Sequence, residues 1–245
     1  MSDYLTTPID QILFLDVETV PQTACFDELD TDFQYLWNKK SALFRKEHET
    51  ASEVYQRAGI YAEFGKIICI SVGMVRYRDS EPHLRLKSFF GPNEKVILQE
   101  FLELIAKISA HNPLWLCGHN VKEFDIPFLS RRMLINGLAL PEILKVSGKK
   151  PWETSFIDTL ELWKFGDYKH FTSLELLTKI FGINSPKDDI DGSQVAEIFY
   201  QGNDIERIAR YCEKDVIAVV QLLLKYKGNA IISNNLIEST SGFTK

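Results

Sequence analysis

ILFLDVETVP, residues 12–21, joins an apolar run to two acidic residues, Asp16 and Glu18. The run ILFL shows no polar alternation, which is typical of a central strand buried on both faces. In an extended chain alternate side chains share a face, so Asp16 and Glu18 lie together, opposite Leu15 and Val17. Buried carboxylates without a partner are costly, and no Lys or Arg lies within the strand. Their partner must come from elsewhere in the fold or be a divalent metal ion, since hard cations prefer carboxylate oxygens.

The composition favours a single soluble domain over residues 1–245. Of these residues 45% are hydrophobic, enough to bury a substantial core. The N-terminus MSDYLTTPIDQ lacks the basic flank and long apolar run of an export signal, and no segment is apolar for the length of a membrane span. We therefore expect a cytoplasmic protein without membrane association.

The net charge and the spacing of the cysteines argue against some classes of function. The chain has 28 basic and 34 acidic residues and a net charge of -6, which argues against a protein that coats nucleic acid by bulk electrostatics. A nuclease remains open, because carboxylates in an active site are neutralised locally by bound cations. The four cysteines are far apart and form no zinc-type pair, which favours ordinary reduced thiols: Cys25, Cys69, Cys117 and Cys212.

The hydrophobic periodicity predicts an α/β domain with a mixed β-sheet flanked by helices. Strands are expected at 66–78, 83–91 and 113–120 in addition to the first one, and helices at 93–108 behind an Asn93 cap, 124–136, 172–181, 193–200 and 204–226. Residues 22–62 have no strand-like alternation and predict a mainly helical insertion within the domain. The C-terminal tail, residues 228–245, ends in a stretch that is expected to be frayed.

Two further acidic positions follow along the chain. Asp125, in GHNVKEFDIPFLSRRM, falls near the start of a predicted helix, where an acid is often only a cap or a complement to the helix dipole. His119 is expected to be a hydrogen-bonded turn residue and not a metal ligand. In IERIARYCEKDVIAVVQLLLKY, Tyr211 and Asp215 lie roughly 40° apart on one edge of the apolar stripe. The solvent side of this helix is predicted to carry Glu206, Arg210, Glu213 and Lys214.

Taken in order, these residues form a specific pattern. Asp16-x-Glu18-Thr19, Asn120-x-x-x-Phe124-Asp125 and Tyr211-x-x-x-Asp215 resemble the DEDD superfamily of 3′-5′ exonucleases, in its tyrosine subclass. Within that superfamily the chain is most similar to the proofreading exonuclease domain of family B DNA polymerases, and to stand-alone bacterial proteins predicted to be related exonucleases. The resemblance implies an RNase-H-like fold with a five-stranded mixed sheet flanked by helices. The insertion at 22–62 departs from a minimal exonuclease domain.

The resemblance also implies a mechanism with two Mg²⁺ or Mn²⁺ ions. Asp16 would bridge both ions, Glu18 and Asp215 would hold the ion that activates water, and Asp125 would support the second. Tyr211 would orient the attacking water, so the catalytic set is Asp16, Glu18, Asp125, Tyr211 and Asp215. The candidate contacts to the terminal nucleotide are Thr19, Asn120 and Phe124.

The expected substrate is nucleic acid, most readily the 3′ end of single-stranded DNA, from which nucleoside monophosphates would be removed. A 3′-5′ exoribonuclease is an open alternative, because no residue pattern for ribose recognition is visible. A non-catalytic nucleic-acid-binding protein is another, and a repair or replication protein is a candidate partner. Asp158 is either near the site or a helix cap. The candidate phosphate contacts are Lys39, Lys40, Arg45, Lys46, Arg131, Arg132, Lys145, Lys149 and Lys150.

Overall fold

The computed structural model describes residues 4–110, 113–167, 171–183 and 190–244. Six strands form one mixed sheet in the order β5-β4-β1-β2-β3-β6. Their bounds are β1 Ile12–Pro21, β2 Gly65–Arg78, β3 Glu81–Phe90, β4 Trp115–Gly118, β5 Phe156–Asp158 and β6 Ile237–Ser239. The pairs β1–β2 and β2–β3 are antiparallel, whereas β1–β4, β4–β5 and β3–β6 are parallel. The predicted mixed sheet is confirmed, with a short sixth strand at its edge.

The helices flank this sheet and are α1 Thr31–Ser41, α2 Glu94–Ser109, α3 Asp125–Ile135, α4 Thr159–Lys164, α5 Leu174–Ile180, α6 Val195–Glu197 and α7 Ile205–Tyr226. Asn93 caps α2 as expected, accepting the Val96 amide. The helix predicted at 193–200 is instead one short α-helical segment followed by a π-type turn at Ile198–Gly202. In the described part of the chain, no helix has the length and apolar character needed to cross a membrane.

The two faces of β1 pack against different helices. Leu15 and Val17 join the core that lies under α2 and α3, whereas Phe14 packs with Val216 of α7. Because side chains alternate along a strand, Asp16 and Glu18 face α7. Gly73 of β2 lets that helix approach, since a Cβ there would lie 2.8 Å from the Val216 Cγ1. The predicted separation of acidic and apolar faces is therefore confirmed.

The insertion at 22–62 folds around its own aromatic core. Trp37 of α1 is fully buried, and its indole N–H donates to the Ala51 carbonyl at 2.8 Å. Tyr55 and Phe64 pack against the Trp37 ring. Helix α1 and 3-10 turns make up the regular structure of this stretch, as predicted. Because the Gln22 amide donates to the Phe64 carbonyl, the insertion leaves and rejoins the sheet beside the end of β1.

The C-terminal segment differs from the sequence expectation. It is not frayed, because β6 extends the sheet beyond β3, and Phe243 stacks on Phe90 with ring centroids 5.7 Å apart. The anchor is Glu213 of α7, which the helical periodicity wrongly places on the solvent side. Its side chain is 5% exposed, and its carboxylate accepts hydrogen bonds from three serine hydroxyls: Ser88, Ser239 and Ser241.

One candidate phosphate contact, Arg132, has a structural role instead. Its guanidinium donates to both oxygens of Glu94, at 2.8 and 2.6 Å, and to the Ala62 carbonyl at 2.9 Å. The Glu94 carboxylate also accepts the Ile67 amide at 2.7 Å. This buried ion pair therefore joins the end of the insertion, the start of β2, and helices α2 and α3.

We expect Arg132→Ala to lower the free energy of unfolding by about 3–5 kcal/mol, because it leaves the Glu94 carboxylate buried without its cation. Urea denaturation monitored by circular dichroism measures the change. Arg131→Ala is the matched control: this neighbour is exposed, and its removal should change stability by less than about 0.5 kcal/mol. Equal effects of the two substitutions would contradict the structural role of the ion pair.

Candidate active site

The site lies where β1 extends past its parallel neighbour. Strand β4 pairs with β1 only at Ile12–Phe14, so the later residues of β1 have no strand on that side. The Val17 amide is instead satisfied by Asp125 Oδ1 at 3.2 Å. Asp125, the first residue of α3, thus takes the place of a strand partner, and the residue is only 4% exposed. The backbone of β1 and the start of α3 are in this way held together beside Asp16.

Helix α7 brings the third group of residues to the same place. Tyr211 and Asp215 lie one turn apart on α7, and the charge of Asp215 helps to raise the pKa of the Tyr211 hydroxyl, in keeping with their spacing on the helix. Among charged neighbours, Asp215 has the largest effect on both Asp16 and Glu18. The thiol of Cys212 lies 3.2 Å from Asp16 Oδ2, so the two elements are in direct contact. The acidic residues predicted from the two ends of the chain therefore meet across the sheet and α7.

The electrostatics of the site are those of crowded, desolvated acids. Burial is the main cause that raises the pKa of Asp16 and of Glu18 well above the ordinary value, and the charge of Asp215 is the second. Burial also raises the pKa of Asp125 to about 7, although the Val17 amide opposes that shift. Tyr211 has its pKa raised by burial and by the carboxylates, so its hydroxyl stays protonated and acts as a hydrogen-bond donor.

The donor set fits a divalent cation. Among the described residues, the carboxylate oxygens of Asp16 and Glu18 and the sulfur of Cys212 form a group of ligand atoms that all lie within 4.8 Å of one another. Asp125 and Asp215 fall outside this tight group, yet their charges act on it. Carboxylate oxygens held close together at a half-buried site are what the hard cations Mg²⁺ or Mn²⁺ would stabilise.

The three candidate nucleotide contacts lie close in sequence to Glu18 or Asp125. Thr19 is half-buried at an irregularity in the β1–β2 pairing, directly after Glu18. Asn120 has a left-handed backbone with φ of 63°, a conformation that asparagine tolerates well, in the turn before α3. Phe124 is half-buried, with its ring centroid 5.5 Å from that of Phe128. Their contact with substrate stays a prediction.

Asp158 serves as a helix cap and turn anchor. One carboxylate oxygen accepts the Leu160 amide at the start of α4 and the Asn120 amide, both at 3.0 Å, while the other accepts the Lys122 amide at 3.1 Å. Its charge also contributes to raising the pKa of Asp125. Asp158 therefore orders the turn that precedes α3 and acts on the site through its charge.

His119 is the hydrogen-bonded turn residue that the sequence predicts. Its Nδ1 lies 2.9 Å from the Thr159 hydroxyl and its Nε2 lies 3.0 Å from the Thr172 carbonyl. Burial lowers the pKa of the imidazole, so the neutral ring is favoured. In that form Nε2 donates to the Thr172 carbonyl.

A row of buried polar side chains lies behind Asp16 and is not predicted by the sequence analysis. Cys212 packs in one buried cluster with Cys69, whose sulfur lies 3.6 Å from the Ser71 hydroxyl. Ser71 and Ser88 are 2.7 Å apart, and Ser88 donates to Glu213 at 3.0 Å. The sequence feature that could have indicated these side chains is the row of small residues at alternate positions of an otherwise bulky apolar strand: residues 69, 71 and 73 are Cys, Ser and Gly. Small polar side chains on one face indicate close packing against α7.

Comparison with known proteins identifies one family. The family model described as a predicted 3′-5′ exonuclease related to the exonuclease domain of PolB matches residues 60–237, more than half of the chain. The match contains Asp125, Tyr211 and Asp215, whereas Asp16 and Glu18 precede it. No curated protein matches the chain. The structure supplies the link between the matched segment and the first strand.

We expect the metal-free protein to lose stability with rising pH because of Asp125. Its pKa is 3.8 when unperturbed and about 7 when folded, so the folded state carries a growing penalty as pH rises between these values and the full penalty above them. Asp125→Asn keeps an acceptor for the Val17 amide and removes that charge. Its stabilising effect should be larger at about pH 8 than at about pH 5 by about 1–3 kcal/mol.

Urea denaturation of both proteins in excess chelator, at the two pH values, measures this difference. The chelator is needed because a bound cation would stabilise the Asp125 carboxylate and mask its cost. A stabilisation that does not change with pH would contradict the assignment of the buried charge.

Proposed function

The chain belongs to the family of predicted 3′-5′ exonucleases related to the exonuclease domain of PolB, and on that premise we propose that it is a metal-dependent 3′-5′ exonuclease. It removes nucleoside monophosphates from the 3′ end of single-stranded DNA. The proposed catalytic residues are Asp16, Glu18, Asp125, Tyr211 and Asp215.

The single observation that carries this proposal is the convergence of two parts of the chain. The family match begins at residue 60 and leaves out the first strand. Asp16 and Glu18 of that strand nevertheless contact or act on residues inside the match: Cys212 touches Asp16, and the charge of Asp215 acts on both carboxylates. A structural role alone gives no reason to bury acids against one another, because their repulsion destabilises the metal-free fold.

Mg²⁺ or Mn²⁺ is the proposed cofactor, with two ions per site. Asp16 would contribute to both ions, Glu18 and Asp215 to one, and Asp125 to the other. When bound, such ions lower the pKa of a coordinated water and stabilise the charge of the phosphate and of the departing oxygen. The carboxylates of this chain supply charge and position.

The remaining residues are proposed to position the water, the carboxylates and the substrate. Tyr211 keeps its proton, and its hydroxyl is proposed to orient a water by hydrogen bonding rather than to remove a proton from it. The hydrogen bond from the Val17 amide holds one oxygen of Asp125 toward the strand. Thr19, Asn120 and Phe124 are proposed to receive the terminal nucleotide, because Thr19 directly follows Glu18, and Asn120 and Phe124 lie in the turn that leads to Asp125. A repair or replication protein is the proposed kind of partner.

We expect the purified protein to shorten a 5′-labelled single-stranded DNA from its 3′ end when Mn²⁺ or Mg²⁺ is present and not in chelator. Asp16→Asn and Asp215→Asn should each lower the rate by about 100-fold or more, since changes even outside a ligand set alter metal-dependent activity by 10–100-fold. Denaturing electrophoresis of the products gives the rate. Asp32→Asn, which removes an exposed acid on α1, is the matched control and should keep wild-type activity.

Parallel RNA and DNA oligonucleotides decide the substrate. Faster shortening of RNA would replace the proposed substrate by the 3′ end of RNA and keep the mechanism. Oligonucleotides that are bound but left intact with every metal would favour the non-catalytic binding protein. Equal activity of the wild type and Asp16→Asn would contradict the assignment of the site.

Tyr211→Phe should lower kcat by up to about 100-fold, because a misplaced nucleophile costs rate without weakening metal binding. The increase in melting temperature on adding Mn²⁺ should equal that of the wild type, since the phenol is not a proposed ligand. Tyr77→Phe, which alters an exposed tyrosine far along β2, is the control. A reduced response to Mn²⁺ would show that the substitution disturbs the carboxylates instead.

A further inference from the structure

A thiol lies among the carboxylates of the site. Cys212 Sγ is 3.2 Å from Asp16 Oδ2 and 3.4 Å from the Asp16 carbonyl oxygen. The side chain is fully buried, on the turn of α7 between Tyr211 and Asp215. Nothing in the proposed reaction with Mg²⁺ or Mn²⁺ uses a sulfur ligand, because these hard ions prefer oxygen.

The spacing of the three donors suits a softer ion. Zinc binds sulfur at about 2.3 Å and carboxylate oxygen at about 2.0–2.2 Å, so a tetrahedral site separates these donors by roughly 3.6 Å. The observed separation of 3.2 Å between Cys212 Sγ and Asp16 Oδ2 requires only a small rotation of the carboxylate. Glu18 supplies the third donor, since all three ligand atoms lie within 4.8 Å of one another.

We propose that Asp16, Glu18 and Cys212 form a three-ligand site for a thiophilic divalent ion, Zn²⁺ or Cd²⁺, which competes with Mg²⁺ or Mn²⁺ for Asp16 and Glu18. When the sulfur–metal bond forms, the thiol releases its proton to water, and no electron is transferred. With a hard ion bound, the thiol keeps its proton and donates to Asp16. The competition rests on the proposed function, whereas the thiophilic site itself does not.

The ultraviolet charge-transfer band of cadmium thiolate tests the site directly, without any nuclease assay. The exposed Cys25 also offers a thiol, so every protein carries Cys25→Ser. Titration with Cd²⁺ should give a band that saturates at one ion per chain. Cys212→Ser, which keeps the size of the side chain, should abolish the band and weaken Cd²⁺ binding by about 100-fold. Cys117→Ser, at another fully buried cysteine in a different part of the core, should leave the band intact.

Inhibition by Zn²⁺ tests the competition. In the Mn²⁺-dependent assay, added Zn²⁺ should inhibit the Cys25→Ser protein, and more Mn²⁺ should reverse the inhibition. In the Cys212→Ser variant, the Zn²⁺ concentration for half-inhibition, relative to that variant's own uninhibited rate, should rise about 10–100-fold. An unchanged half-inhibition concentration would overturn the competition.

The outcomes separate this inference from the proposed function. A cadmium band that is lost in Cys212→Ser supports the three-ligand site even if no oligonucleotide is cut. A protein that binds Mn²⁺ and cuts DNA but gives no cadmium band, or gives one that survives Cys212→Ser, overturns the site and leaves the exonuclease proposal standing.

Discussion

The burial of Asp16 and Glu18 against the charge of Asp215 is the constraint on which the rest of the structure depends. Desolvation and mutual repulsion both oppose ionisation there, so the sheet, α3 and α7 must hold the acids together against their own electrostatics. The packing can do so because apolar contacts surround the acids: Leu15 and Val17 bind one side of β1 to α2 and α3, and α7 covers the other. The favourable free energy of this apolar packing thus offsets the unfavourable free energy of holding the acids close together.

The elements that follow simple periodicity could be predicted from the sequence. The continuous apolar run of β1 and the stripe of α7 identify their elements because each contains more than two helical turns or several strand repeats. Short elements such as β5 and β6 could not be predicted, since three residues carry no periodic signal. The stretch 193–200 is not the single regular helix that the sequence predicts, because propensity does not reveal a switch to a π-type turn.

The burial of side chains whose partners are distant in sequence also could not be predicted. Glu213 lies on the face of α7 that a helical wheel assigns to solvent, but Ser88 of β3 and Ser239 and Ser241 of the C-terminal segment donate to its carboxylate. Arg132 resembles an exposed basic residue until Glu94, 38 positions away, is placed beside it. The acids of the site could be predicted from the sequence because their arrangement follows local rules. Alternation along a strand places Asp16 beside Glu18, and helical spacing places Tyr211 beside Asp215.

Helix α7 is where these constraints meet, and its position is set from several directions. Val216 sits against Gly73 of β2, where no larger residue would fit, which fixes how closely the helix approaches the sheet. Glu213 ties the same turn to β3 and β6, and Cys212 ties it to Asp16. Any displacement of the helix would change the distances from Tyr211 and Asp215 to the carboxylates of β1 together. The buried polar side chains between Asp16 and Glu213 therefore contribute to the geometry of the site. They hold the face of α7 that carries Asp215 at a fixed distance from the strand that carries Asp16 and Glu18.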